Sequence, residues 1–140
     1  MNAYFDTSAI VPLLIDEPSS DDARRLWDEA IRIVSVRLLY PEARAATAQA
    51  HRVGRLTAPQ LRAAVGALDD RYPQVDVVQI DDELARRAGE FAEVHGLRGY
   101  DAVHLAAADR AGDTDLVVVA GDRALLNAAA SVGLMTASIG

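Results

Sequence analysis

The run Leu116-Val117-Val118-Val119 is the most apolar short segment of the sequence, and it decides the fold class. Four consecutive aliphatic residues before an Ala-Gly turn are typical of a strand that is buried on both faces of a parallel sheet. Working outward from this segment, we predict further strands at 3–5, 31–35, 75–80 and 134–138. The segment 75–80 alternates less cleanly, which favours a strand near the edge of the sheet.

Segments with helical periodicity separate the predicted strands. The first helix starts near Ala9 and is kept to one or two turns by Pro12 and Pro18. Strands that alternate with helices from end to end predict an α/β domain with a mainly parallel sheet and right-handed crossovers. A chain of 140 residues is long enough for one well-filled core, so we predict a single domain over 1–140. The longer helices are predicted at 20–30, 37–53, 57–71, 81–96, 100–111 and 122–130.

The composition excludes several kinds of chemistry. The sequence contains no cysteine, which rules out disulfides, thiolate metal sites and a cysteine nucleophile. All 14 basic residues are arginine, so no lysine base is available. The net charge of −7 argues against binding nucleic acid through a general positive field, but it is compatible with a nuclease that carries cations. Because the start is not basic and no apolar run approaches the roughly 18 residues of a membrane span, we expect a soluble, cytoplasmic protein.

Four acidic residues stand beside apolar segments, where a charge is hard to justify by packing alone. Asp6 directly follows the first strand, and Asp122 follows the most apolar strand. Glu42 and Asp101 lie in the first turns of helices, where the helix dipole favours an anion. Ligands of open parallel sheets gather beyond the carboxyl ends of the strands. We therefore expect these four side chains to converge if the two strands are neighbours.

Four converging carboxylates repel one another, and this repulsion raises their pKa values unless a cation is present. Oxygen-only ligation with open positions for water suits Mg²⁺ or Mn²⁺ and suits zinc poorly. Such a site supports hydrolysis of a phosphodiester, because a bound metal ion lowers the pKa of the attacking water and stabilises the leaving oxygen.

Each of these residues also has a simpler interpretation. Asp6 and Asp101 are both placed to cap a helix, and Asp122 to form a turn or a cap. Glu42 alone fits a solvated helix residue. The ordered set of four is what favours a shared site. His104 lies one turn after Asp101, where a structural hydrogen-bond partner is a more common role than a general base.

Arginines flank the acidic positions. Two interpretations of them remain open, namely contacts with RNA phosphates and salt bridges on an acid-rich surface. Aromatic residues make up 5% of the sequence and do not cluster along it, so base stacking is not expected to be the main source of RNA affinity. The flanking arginines are Arg37, Arg44, Arg98 and Arg123.

Four segments resemble the acidic motifs of PIN-domain ribonucleases, and in particular those of VapC toxins from type II toxin–antitoxin modules. Their order and spacing match over essentially the whole chain, and the third motif is the most specific. The resemblance implies a Rossmann-like domain with sheet order 3-2-1-4-5, Mg²⁺- or Mn²⁺-dependent cleavage of RNA, homodimers, and inhibition by a cognate VapB antitoxin. The segments are Tyr4-Phe5-Asp6-Thr7-Ser8, Ser35-Val36-Arg37-Leu38-Leu39-Tyr40-Pro41-Glu42, Leu97-Arg98-Gly99-Tyr100-Asp101-Ala102-Val103-His104-Leu105-Ala106 and Val119-Ala120-Gly121-Asp122.

The resemblance implies a catalytic role for each of the four acids. Asp6 and Asp101 would be metal ligands. Asp122 would be a further ligand, either directly or through water. Glu42 would orient the nucleophilic water or bind a second metal ion.

The resemblance also concerns residues beside the acids. Ser8 matches the small hydroxyl residue of the first motif, and would hydrogen-bond to a carboxylate or to a substrate phosphate. Separately from the resemblance, the positions of Arg98 and Arg123 beside the acids predict that these two arginines bind substrate. Ala120 is a departure, because the fourth motif usually has Thr or Ser at this position. The hydroxyl that would hold Asp122 or a phosphate is therefore missing.

Other functions are weaker matches to the sequence. A haloacid-dehalogenase-type phosphatase needs a second carboxylate two positions after its first aspartate, where this chain has Ser8. A response-regulator receiver relies on a lysine, which is absent. The remaining alternative is a PIN-fold antitoxin-binding or scaffold protein with weak or no nuclease activity. Ala120 is the only feature that favours it.

Overall fold

The computed structural model describes residues 1–112 and 114–140. All of the predicted elements are present, and their ends lie within two residues of the predicted ones. The strands are β1 (Asn2–Phe5), β2 (Arg32–Val36), β3 (Val75–Val78), β4 (Leu116–Ala120) and β5 (Met135–Ser138). The helices are α1 (Thr7–Leu14), α2 (Ser20–Glu29), α3 (Leu39–Arg52), α4 (Ala58–Arg71), α5 (Asp82–His95), α6 (Gly99–Ala111) and α7 (Arg123–Ser131), and a 3₁₀ turn at Tyr72–Gln74 joins α4 to β3.

The five strands form one parallel sheet in the order 3-2-1-4-5. This confirms the predicted α/β class and strand order. In the centre of the sheet, Tyr4 of β1 is opposite Val34 of β2 and Val118 of β4. The segment 75–80 forms an edge strand as predicted, and β4, which contains the most apolar run, is an interior strand. Since β1 and β4 are neighbours, the residues that follow them meet at one edge of the sheet.

Helices cover both faces of the sheet. Alternation along β1 directs Ala3 and Phe5 to the face covered by α1, α2, α3 and α4. Tyr4 points to the opposite face, which is covered by α5, α6 and α7. Among the described residues, no helix is long and apolar enough to cross a membrane.

Local sequence signals explain where several helices begin and end. Thr57 and Gln60 form the predicted capping box at the start of α4. Gly96 ends α5 in the left-handed conformation, at φ +64°, which a residue with a side chain rarely adopts. Pro41 lies in the first turn of α3, where its missing N–H leaves no helical hydrogen bond unmade.

Helix α6 carries the most specific of the four motifs. Its alanines at 102, 106, 107 and 108 are each at most 2% exposed. Such small side chains let α6 pack closely against the sheet and against α5. Asp101 lies in the first turn of this helix.

Candidate active site

The carboxyl ends of β1 and β4 bring Asp6 and Asp122 to the same edge of the sheet. The Asp6 N–H donates a hydrogen bond to the carbonyl oxygen of Val119, at 3.1 Å. Asp6 is the N-cap of α1, and Asp122 is the N-cap of α7. The prediction that each of these residues caps a helix is therefore confirmed. Both side chains also lie where ligands of parallel sheets bind.

Ser8 fixes the buried carboxylate of Asp6. Its hydroxyl donates to Asp6 Oδ2 at 2.6 Å, and its backbone N–H reaches the same oxygen at 3.2 Å. The Ser8 hydroxyl in turn accepts the Gly121 N–H at 2.8 Å, which ties the end of β1 to the end of β4. Of the two partners that the sequence leaves open for Ser8, the structure shows the carboxylate.

Two side chains contact the same carboxylate oxygen of Glu42. Its Oε1 accepts the Thr7 hydroxyl at 2.8 Å and lies 2.7 Å from His104 Nε2. His104 is 1% exposed, and its Nε2 also lies 3.4 Å from Asp6 Oδ1. On the other side of the ring, Nδ1 lies 2.9 Å from the hydroxyl of Tyr4. A chain of polar contacts therefore runs from the buried Tyr4 to two of the four acids.

The contacts of His104 indicate that the ring nitrogen facing the acids is protonated. The Thr7 hydroxyl donates its hydrogen bond to Glu42. His104 Nε2 therefore faces oxygen lone pairs of Thr7, Glu42 and Asp6. Nε2 is therefore an N–H donor. Burial acts to lower the pKa of His104, but the hydrogen bond to Glu42 and the nearby acidic charges outweigh it and raise the pKa above its ordinary value. The side chain is a hydrogen-bond partner of the acids, as predicted.

Asp101 is the acid whose environment is least favourable to its charge. Burial raises its pKa, and the negative charges of Asp122 and Asp6 raise it further. Arg98, whose Nε lies 3.6 Å from Asp101 Oδ2, and His104 act in the opposite direction without cancelling the shift. These effects show that Asp101 shares one electrostatic environment with Asp6 and Asp122.

Asp122 is oriented by the backbone of its own helix. Its Oδ1 accepts the N–H groups of Ala124 and Leu125, at 2.9 and 3.3 Å. Ala120 is completely buried in β4 and has no hydroxyl to offer. The two backbone donors fix Asp122 in its absence, so Ala120 does not leave this carboxylate unsupported.

The flanking arginines differ in their surroundings. Arg98 is 73% exposed and lies over the ring of Tyr100, at 5.4 Å. Arg123 is exposed beside Asp122 and lines a cavity of about 250 Å³. Arg37 and Arg44 contact tyrosines, and neither has a carboxylate within 4.0 Å in the described part of the chain. For these last two, the salt-bridge interpretation is wrong.

Sequence reasoning missed two residues that hold the acids in place. Thr7 stands between Asp6 and Ser8 in the first motif, but nothing in the sequence indicates that its hydroxyl reaches Glu42, 35 positions away. Tyr4 occurs in an ordinary apolar strand pattern, and its contact with His104 spans 100 positions. Both contacts depend on the packing of α3 and α6 at the ends of the strands, which periodicity does not reveal.

The donor set fits a hard divalent cation by its chemistry. The four acids offer only carboxylate oxygens, which Mg²⁺ and Mn²⁺ prefer. Over residues 1–112 and 114–140, no three histidine, cysteine or acidic side chains form a ready-made coordination cage. Burial, together with the negative charges of Asp122 and Asp6, raises the pKa of Asp101, and a nearby cation would act in the opposite direction.

The strand order and the position of these acids define the class of protein. A family model described as the PIN domain matches residues 3–131. The chain therefore belongs to the PIN-domain family.

Relatives place the chain within this family. It is 42% identical over 134 residues to Ribonuclease VapC45 and to Ribonuclease VapC49 of two Mycobacterium tuberculosis strains, covering 96% of this chain and 93% of each relative. These matches place it among the VapC proteins. Among solved structures, it resembles PAE2754 from Pyrobaculum aerophilum, with a TM-score of 0.70, 25% identity, and coverage of 97% of this chain and 89% of the other. It also shares the fold of VapBC2 from Rickettsia felis bound to a promoter DNA fragment, with a TM-score of 0.67, 12% identity and full coverage of both chains.

Proposed function

We propose that this protein is a VapC-type toxin, a Mg²⁺- or Mn²⁺-dependent endoribonuclease that hydrolyses RNA phosphodiester bonds. The observation that carries the proposal is the meeting of motif acids at one edge of the sheet, where His104 Nε2 lies 2.7 Å from Glu42 and 3.4 Å from Asp6, and where burial and the charges of Asp122 and Asp6 raise the pKa of Asp101. Acidic clusters of this kind are costly to a fold and mark functional sites. Two relatives at 42% identity are named as ribonucleases, which supports the same reaction.

In this proposal Asp6, Asp101 and Asp122 hold the metal ion. A bound divalent cation supplies positive charge that activates water and stabilises the leaving oxygen. Ser8 keeps the Asp6 carboxylate in one orientation, and the N-terminal N–H groups of α7 do the same for Asp122. The protein thus provides oriented oxygens before any ligand arrives, which limits reorganisation during the reaction.

Glu42 orients the attacking water. Its Oε1 is already occupied by the donors of Thr7 and His104, so the other carboxylate oxygen remains to accept a hydrogen bond from water. Arg98 and Arg123 flank the acids and neutralise the phosphates on either side of the cleaved bond.

The proposed partners follow from the VapC relatives. A cognate VapB-type antitoxin would inhibit the enzyme, and the toxin would form a homodimer. Induced expression of this chain should arrest growth, and co-expression of the small antitoxin encoded beside it should relieve the arrest. An active nuclease without any effect on growth would instead indicate a housekeeping role.

The central experiment is an RNA cleavage assay with the purified protein freed of any partner. Cleavage should require Mg²⁺ or Mn²⁺, stop with EDTA, and leave 5′-phosphate and 3′-hydroxyl ends. Asp6→Asn should abolish it, whereas Asp21→Asn, at a side chain that is 95% exposed, should not. Products with 2′,3′-cyclic phosphate ends, or full activity in Asp6→Asn, would contradict the proposed chemistry.

A further inference from the structure

A group of two arginines and two tyrosines lies on the outer side of α3. This arginine–tyrosine patch consists of Arg37, Tyr40, Arg44 and Tyr72. The tyrosine rings contact each other at 5.1 Å between centroids. Arg37 lies over the Tyr72 ring at 6.0 Å, and Arg44 lies over the Tyr40 ring at 5.8 Å. The fold thus brings together aromatic residues that are far apart in the sequence.

Hydrogen bonds hold each guanidinium in a fixed place. Arg37 donates through one NH₂ group to the Tyr72 hydroxyl at 2.9 Å and through Nε to Gln79 at 3.3 Å. Arg44 donates a hydrogen bond to the Tyr40 hydroxyl at 3.0 Å, and that hydroxyl donates a hydrogen bond to Asp69 at 2.6 Å. The phenol oxygens accept from the arginines, so both side chains are ordered before a ligand arrives.

Neither of these two arginines pairs directly with a carboxylate in the described residues, and Asp69 is linked to Arg44 through the Tyr40 hydroxyl. Many other arginines of this acidic chain pair with a carboxylate, as Arg24 does with Asp21 and Arg110 with Asp81. Arg37 and Arg44 bond to neutral phenol oxygens, and no salt bridge to either occurs within residues 1–112 and 114–140. Both are exposed, so the remaining N–H groups face solvent. The patch therefore presents two arginines without a direct carboxylate partner in the described ranges, on a protein with a net charge of −7.

The patch adjoins the candidate active site. Arg37 directly follows β2 at the carboxyl end of the sheet, and Tyr40 and Arg44 lie in the same first turns of α3 as Glu42. Glu42 is two residues from both Tyr40 and Arg44, so we expect the acidic site and the patch on different sides of the same helix start, and a strand of nucleic acid would pass around this helix start to contact both.

We propose that the arginine–tyrosine patch binds the sugar–phosphate backbone of single-stranded RNA beside the cleaved bond. This inference rests on the proposed ribonuclease function. The planar guanidinium fork matches a phosphate in two N–H···O bonds, and a guanidinium held on an aromatic ring loses little freedom on binding. A protein partner is a less suitable occupant, because ordered, exposed guanidinium groups beside a hydrolytic site match the repeated charge of the substrate itself.

The test measures binding of a fluorescein-labelled single-stranded RNA by anisotropy, in an Asp101→Asn background with EDTA present, so that residual metal-dependent cleavage of the RNA is also stopped. Arg37→Ala/Arg44→Ala should weaken binding about tenfold or more at low salt, and should reduce the slope of log K against log salt by about 1.4, or roughly 0.7 per lost phosphate contact. The matched control is Arg62→Ala, because Arg62 is also exposed and has neither a carboxylate nor a ring partner within the described ranges. The control should keep the wild-type affinity and slope.

A second pair of substitutions tests the role of the rings. Tyr40→Phe/Tyr72→Phe keeps both rings and both charges but removes the phenol oxygens. It should weaken binding severalfold while leaving the salt slope unchanged, because the charge is still present but no longer fixed. Thermal unfolding of each variant checks that the fold is intact.

The outcomes separate this inference from the proposed function. Wild-type protein that neither binds nor cuts RNA would overturn both. Wild-type protein that cuts RNA, with an unchanged KM and salt slope in Arg37→Ala/Arg44→Ala, would overturn the patch alone. Loss of self-association in that variant, with RNA affinity unchanged, would assign the surface to a protein contact and would also overturn the inference.

Discussion

Two aspartates at the starts of successive helices have opposite electrostatic environments. Asp81 caps α5, and Arg110 donates to its two oxygens at 2.8 and 3.0 Å. This hydrogen bonding, aided by the Leu84 N–H, lowers the pKa of Asp81 to about 2. Asp101 lies in the first turn of α6 with Arg98 at 3.6 Å, yet its pKa is raised.

The difference shows that a helix start and an arginine do not by themselves decide the charge state of an acid. Asp81 is on the surface, and both of its carboxylate oxygens accept hydrogen bonds from Arg110. Asp101 is partly buried and has Asp122 and Asp6 as neighbours, so burial and like charge exceed the effect of Arg98. Asp81 stabilises the contact between two helices, whereas burial and like charge disfavour the ionised form of Asp101.

The largest effect should come from replacing Asp101 by asparagine, with the same replacement at Asp81 for comparison. Asp101→Asn should reduce RNA cleavage about 10²- to 10³-fold, because in the proposed role of Asp101 as a metal ligand its loss costs several kcal/mol and each 1.36 kcal/mol is tenfold. It should not reduce the free energy of unfolding, since it removes a repulsive charge. Asp81→Asn is the matched control and should keep full activity. Initial rates at saturating Mg²⁺ measure both, and equal rates in the two variants would remove the functional distinction between them.

Ser8→Ala should lower activity about 10- to 100-fold, the usual cost of losing a residue that orients a metal ligand. The substitution removes the hydroxyl that fixes Asp6 and that accepts the Gly121 N–H. Ser131→Ala is the control, because the Ser131 hydroxyl bonds only to a carbonyl of its own helix on the surface. The apparent Mg²⁺ requirement of cleavage is the measurement, and an unchanged requirement in Ser8→Ala would show that Asp6 needs no such support.

Tyr4→Phe should decrease the free energy of unfolding by about 1–3 kcal/mol, the usual cost of a buried polar group that loses its partner. Here the group is His104 Nδ1, which lies 2.9 Å from the Tyr4 hydroxyl. Tyr100→Phe is a matched control at a tyrosine that is 45% exposed, and it should change stability by less than about 0.5 kcal/mol. Urea denaturation gives both values. Equal effects would mean that the Tyr4–His104 contact contributes nothing to the folded state.

The smallest effect concerns the pH dependence of stability at Asp81. The pKa of Asp81 is about 2 in the folded protein against an ordinary value of 3.8, so its stabilising contribution is complete above pH 3.8 and is lost as the pH falls toward 2. Wild type should therefore melt at a slightly higher temperature than Asp81→Asn at pH 7, and the two should converge near pH 2. A difference in Tm that is constant over this range would contradict the shifted pKa.

The sequence was informative about the fold because each strand and helix carries its own local signal. The apolar run at 116–119, the capping box at Thr57 and Gly96 at a helix end each depend on a few neighbouring residues. The positions of Asp6 and Asp122 followed from their place after two strands, once those strands proved to be neighbours. Contacts between distant segments were not predictable, because the roles of Thr7 and Tyr4 and the contact of Tyr40 with Tyr72 arise only from tertiary packing.

The alanines of α6 have a further consequence, which concerns how such a site changes during evolution. Ala102 and Ala106 are buried against neighbouring elements, and their methyl groups set the distance between the helix and the sheet. One or two added methylenes in so dense a core displace the whole helix rather than one side chain. Because Asp101 and His104 belong to this helix, both would move together. We therefore expect larger side chains at these two alanines to change activity by displacing the helix that carries Asp101 and His104.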